Sequence, residues 1–71
     1  MKESLDVSIV IPVYNEEENI NLLYSEIKSA MDKTGCGYEI VFVDDGSTDK
    51  TVELLSALQK KDKKVVVRMI S

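Results

Sequence analysis

Apolar positions along this chain fall into two rhythms, and the switches between them mark five elements. Val7-Ser-Ile-Val-Ile-Pro-Val13 is short, β-branched and closed around a proline, the composition of a strand near its end. Ile20, Leu23, Ile27, Ala30 and Met31 then recur at helical spacing between polar residues, predicting an amphipathic helix of about four turns. Asn15 followed by Glu16, Glu17 and Glu18 looks like its capped, acidic start, and Gly35 or Gly37 its stop. A second strand follows over residues 38–43, and Gly46-Ser-Thr-Asp49 opens a second helix carrying Val52, Leu54, Leu55 and Leu58. Lys60, Lys61, Lys63 and Lys64 suit that helix's negative end, and residues 65–70 return to strand.

The order β-α-β-α-β, with no repeat or linker, predicts an α/β fold: a parallel sheet with right-handed crossovers, one half of a three-layer, Rossmann-like arrangement. Two such crossovers in one direction put both helices on one side of the sheet. Yet Val10, Val41 and Val43 make the other side apolar as well. That face and the sheet edges are expected to meet either the rest of a larger domain or copies of the same chain.

Composition narrows the possibilities. A chain of 71 residues buries only about 60% of the surface its unfolded form exposes, and its core supplies no more than about 3–5 kcal/mol. With one cysteine, Cys36, and no histidine, it has no internal disulfide, which fits either a reducing compartment or a chance bystander thiol. Nine basic against thirteen acidic side chains give a net charge of −4, which disfavours nucleic acid and anionic lipid as partners. The longest mainly apolar run, Val7 to Val13, falls far short of the ~20 residues a membrane-spanning helix needs, and no signal segment precedes it, so this segment is expected to be cytoplasmic and to make no membrane contact.

Candidate chemistry lies in the two loops that follow the first two strands. Parallel strands bring residues 12–18 and 44–49 to one edge, where open α/β sheets bind ligands. Tyr14 offers a ring to a flat base, and Asp45 an acceptor to a base or ribose donor. Asp44 and Asp45, being consecutive, point in opposite directions, so one is expected to serve a ligand and the other the loop. Two carboxylates at a buried strand's end need compensation from hydrogen bonds, a ligand or a cation. Plainer roles compete: Asn15 as a helix cap, Glu17 and Glu18 as solvated partners of the helix dipole, Pro12 as a strand end, and Ser47, Thr48 and Asp49 as turn and cap residues. Neither a P-loop nor a Gly-x-Gly-x-x-Gly fingerprint occurs. A receiver-like phosphoacceptor site would divide its acids between the first strand and a later one, whereas here they are contiguous after the second.

Val7-Ser-Ile-Val-Ile-Pro-Val-Tyr-Asn-Glu16 together with Glu39-Ile-Val-Phe-Val-Asp-Asp-Gly-Ser-Thr-Asp49 resembles the N-terminus of the family 2 inverting glycosyltransferases, which have the GT-A fold. Glu16-Glu-Glu-Asn-Ile20 and Thr48-Asp-Lys-Thr51 are most similar to the dolichyl-phosphate mannose synthase-like branch, which transfers sugars from nucleotides to polyprenyl phosphates. The resemblance implies that Pro12, Tyr14 and Glu16 line the nucleotide pocket. It implies that Asp45 accepts a hydrogen bond from the base, with Asp44 and Gly46 shaping the same wall. It also implies Mg²⁺ or Mn²⁺ in the full-length parent, held by a later Asp-x-Asp motif that is absent here, so no metal ligand or catalytic residue is assigned within the chain.

Residues 1–71 are therefore expected to be an incomplete domain, the N-terminal nucleotide-binding portion of a glycosyltransferase of hexosyltransferase type. Its partners would be a nucleotide-sugar donor and the remainder of the parent, itself associated with the cytoplasmic side of a membrane where the acceptor is a polyprenyl phosphate. Turnover by this portion alone is not expected. The alternative is a non-catalytic α/β interaction module that forms a homo-oligomer through its uncovered sheet face.

Overall fold

A computed structural model describes residues 5–70. Strand β1 (Val7–Val13), helix α1 (Ile20–Asp32), strand β2 (Tyr38–Asp44), helix α2 (Thr51–Lys61) and strand β3 (Val65–Met69) follow in the expected order. The sheet is parallel with β2 in the middle, pairing Val7 with Tyr38 at one end of β1 and Val13 with Asp44 at the other. On its other side β2 pairs from Ile40↔Val65 to Asp44↔Met69.

Period-two alternation decides what is buried. Tyr38, Ile40, Phe42 and Asp44 of β2 are buried, while Glu39, Val41 and Val43 between them are half-buried. Val13 and Val65 of the flanking strands join the same face, and Ile20, Tyr24, Leu55 and Leu58 from the helices cover it. Both helices therefore lie on one side, as right-handed crossovers require. On the opposite side Val10 is 62% exposed, and no described helix packs over it.

The helices depart from the sequence reading in three places. α1 begins at Ile20, not in the glutamate run, with Asn19 as its N-cap residue. Ala30, which falls on the apolar stripe by spacing, is exposed, and Tyr24 is buried instead. α2 begins at Thr51, leaving Gly46 to Asp49 outside the helix. α1 ends at Asp32 with Lys33 as its C-cap, before either of the two glycines expected to stop it, and Gly35 follows in a left-handed conformation at φ +74°.

At the end of the sheet remote from the strands' C-termini, the two buried tyrosines are tied to acids. Tyr24 Oη donates to Asp62 Oδ2 at 2.6 Å, and Tyr38 Oη donates to Asp32 Oδ1 at 2.7 Å. Burial, then the bond to Asp62 and the charges of Asp62 and Asp32, push the Tyr24 hydroxyl up to about 12. Asp62 moves the other way: burial raises it, but the Tyr24 hydroxyl, the Lys64 amide and the charges of Lys28 and Lys64 outweigh burial and leave it below its ordinary value. Lys28 lies 3.6 Å from Asp32 and 3.7 Å from Asp62, and Lys64 stands 4.5 Å from the Tyr38 ring centroid. These contacts fasten the ends of α1 and α2 to the start of β2.

Candidate functional site: two interlocked loops at the sheet edge

At the C-terminal edge the strand ladders run on by one bond each way. The Asp45 amide donates to the Val13 carbonyl at 3.1 Å, and the Ile70 amide to the Asp44 carbonyl at 2.8 Å. With Val13 paired to Asp44, the next residues, Tyr14 and Asp45, emerge side by side. Both are exposed. Pro12 lies two residues before Tyr14 with its ring on the uncovered face. Because Val13 directs its carbonyl at β2, the Pro12 nitrogen faces the open edge, where a missing N–H costs no ladder bond.

Asp44 and Asp45 take opposite directions, as consecutive strand residues must. Asp44 is 2% exposed and its carboxylate is spent on its own loop. Oδ2 accepts the Gly46 and Ser47 amides at 3.1 and 3.0 Å, and Oδ1 accepts the Ser47 hydroxyl at 2.6 Å. Gly46 follows at φ +78°, a conformation that side chains rarely adopt, although the space beside its Cα is open. Asp45 is left free of that turn and faces solvent.

Asn15, expected as a helix cap, does something else. Its backbone is left-handed at φ +51°, and its Oδ1 crosses to the second loop to accept the amides of Thr48 at 2.8 Å and Asp49 at 3.3 Å. Its own amide donates to Ser47 Oγ at 2.8 Å. Glu17 is likewise no solvated bystander: its Oε1 accepts the Lys50 amide at 2.9 Å, while the Glu17 amide donates to Asp49 Oδ2 at 3.2 Å. The Glu16 amide donates to Thr51 Oγ1 at 2.8 Å, and the Glu16 carboxylate accepts the Asn19 side-chain amide at 3.0 Å. Asp49 also closes the turn that leads into α2, whose N-cap residue is Lys50, accepting the Thr51 amide at 2.9 Å and its hydroxyl at 2.5 Å. Burial would raise the Asp49 carboxyl, but these bonds and the one from Glu17 outweigh it and hold the group below its ordinary range, so it stays ionised.

Asn15, Glu16, Glu17, Glu18, Asn19 and Asp49 line a cavity of about 330 Å³ between the loops. Its walls are rich in acceptors, and Lys50 is the one cation in the two loops. Such an edge favours the donor groups of a base or ribose over a bare diphosphate. Among the described residues no group of three or more histidine, cysteine, aspartate or glutamate side chains is placed to hold a metal ion. The described residues thus offer no such cluster for the divalent cation, which the resemblance places on a later Asp-x-Asp motif outside this segment. No described helix is long and apolar enough to cross a membrane.

Fold and edge together define a Rossmann-like α/β half-domain whose C-terminal sheet edge is built from two mutually braced polar loops. The chain belongs to glycosyl transferase family 2, whose family profile it matches over residues 8–70. It is 47% identical over 55 residues, 78% of its length, to an uncharacterized glycosyltransferase, YkcC, of Bacillus subtilis, of which the match covers 17%. Over 64 residues, 90% of its length, it is 47% identical to an undecaprenyl-phosphate 4-deoxy-4-formamido-L-arabinose transferase of Pseudomonas aeruginosa, covering 19% of that protein. The protein of the same name in Edwardsiella ictaluri is 44% identical over 66 residues, covering 92% of this chain and 20% of the relative. The chain thus spans about a fifth of the length of these relatives.

Proposed function

We propose that this chain forms the base and ribose side of the nucleotide-sugar site in a glycosyltransferase that passes a sugar to a polyprenyl phosphate. The observation that carries the reading is the pairing of an exposed Asp45 carboxylate with the exposed Tyr14 ring on adjacent strand ends. The ring supplies a flat apolar surface, and the carboxylate accepts N–H or O–H donors from the nucleoside. Asp44 and Gly46 shape the turn that frees Asp45, while Glu16 and Pro12 flank the Tyr14 side. Membership of family 2 supports a nucleotide-sugar donor. A polyprenyl-phosphate acceptor is supported by the names of the Pseudomonas and Edwardsiella relatives.

The diphosphate end of the donor and its divalent cation belong, in this proposal, to parts of the enzyme outside residues 5–70. These residues by themselves bind without turning over. Substituting Asp45→Asn in a glycosyltransferase polypeptide that contains this segment is the test. A hydrogen bond to a charged acceptor contributes about 1.5–3 kcal/mol, so KM for the donor is expected to rise about 10- to 100-fold with a smaller change in kcat. An unchanged KM would remove Asp45 from the donor site.

A further inference from the structure

We infer that Asn15 is a positioning residue, which sets the Asp45–Asp49 loop in place beside Tyr14 before any ligand arrives. The consequence for binding rests on the donor-site reading, whereas the bracing itself does not. Asn15 comes directly after Tyr14, and its left-handed backbone turns the side chain across the edge rather than along α1, which begins five positions later at Ile20. Asparagine tolerates that conformation better than almost any other residue with a side chain.

What Asn15 reaches is the part of the second loop that α2 leaves without helical partners. The Thr48 and Asp49 amides precede Thr51, and Asn15 Oδ1 accepts both, with the Thr48 hydroxyl at 3.5 Å as a weaker third donor. The Asn15 amide meets Ser47 Oγ, and that hydroxyl in turn donates to Asp44. One residue therefore grips the loop at three successive positions, Ser47, Thr48 and Asp49. Glu17 and Asp49 close the bracket further out, each carboxylate accepting an amide from the opposite loop. Every one of these bonds joins protein to protein, so the loop's shape does not wait for a nucleotide. Preorganisation of this kind raises affinity by removing the cost of ordering the loop on binding.

Two variants separate the backbone from the side chain. Asn15→Gly keeps the left-handed conformation and removes the acceptor, while Asn15→Asp keeps both. In the 71-residue chain, Asn15→Gly is expected to speed amide exchange at Thr48 and Asp49 about tenfold while Ile40 and Phe42 change little, and Asn15→Asp to restore protection. Titration with uridine and guanosine diphosphates is expected to give an affinity about tenfold weaker for Asn15→Gly than for the parent chain, largely recovered in Asn15→Asp. Unchanged exchange at Thr48 and Asp49 in Asn15→Gly would overturn the inference, as would equal loss of protection at Ile40 and Phe42. If the parent chain binds neither diphosphate, the donor-site reading fails, and the exchange comparison still decides the role of Asn15.

Discussion

Phe42→Ala is expected to leave the 71-residue chain without a cooperative melting transition at 25 °C. Phe42 is fully buried in the central strand, paired in register with Ile11 on one side and Val67 on the other, and belongs to the same core cluster as Ile20 and Leu55. Truncating a buried phenylalanine costs about 3–5 kcal/mol through lost transfer free energy and the cavity left behind. A core of this size supplies no more than about 3–5 kcal/mol in the first place. The loss therefore matches the whole margin. Val10→Ala, at a position 62% exposed on the uncovered face, is the control and should shift stability by less than about 0.5 kcal/mol. Far-UV circular dichroism against temperature checks both. A Phe42→Ala chain that still melts cooperatively near the parent's midpoint would contradict this account of the core.

Asp44→Ala should cost about 3 kcal/mol, the largest effect expected of any substitution at the sheet edge. The carboxylate accepts three donors from its own loop while almost fully buried, and removing it strands those donors and opens the left-handed turn at Gly46. Some of the donors recover water, because Gly46 is exposed, and this keeps the cost below the sum of three charge-assisted bonds. Asp44→Asn should cost only about 1 kcal/mol. Its remaining oxygen can still accept the Gly46 and Ser47 amides, and its new amide can donate to Ser47 Oγ. Urea unfolding of the two variants measures the difference. Equal destabilisation by alanine and asparagine would mean that the charge, and not the acceptor geometry, holds the turn.

The strands were legible because each is a short local pattern: Val7–Val13 was readable to the residue, and β2 to within one. The direction of Asp44 against Asp45 followed from period-two alternation alone. The start of α1 was not legible, because Asn15-Glu-Glu-Glu carries every local mark of a helix start. What overrides those marks is a set of bonds to residues 47–51, more than thirty positions away, and no periodicity announces them. Tyr24 is not legible as a core residue because its polar tip disguises a ring that packs like one once Asp62 accepts its hydroxyl. Ala30 erred in the other direction, since a small apolar side chain at helical spacing need not face the core.

The central claim is that Tyr14 and Asp45 form a nucleoside-binding edge. Its most direct test is titration of the ¹⁵N-labelled chain with uridine and guanosine diphosphates, following every backbone amide. The account predicts saturable shifts for at least one of the two, concentrated at Tyr14, Asp45 and Gly46, with an affinity on the order of millimolar, as expected for part of a site. Saturating diphosphate that leaves those three amides unmoved, or that moves only the lysine-rich end of α2, would contradict it.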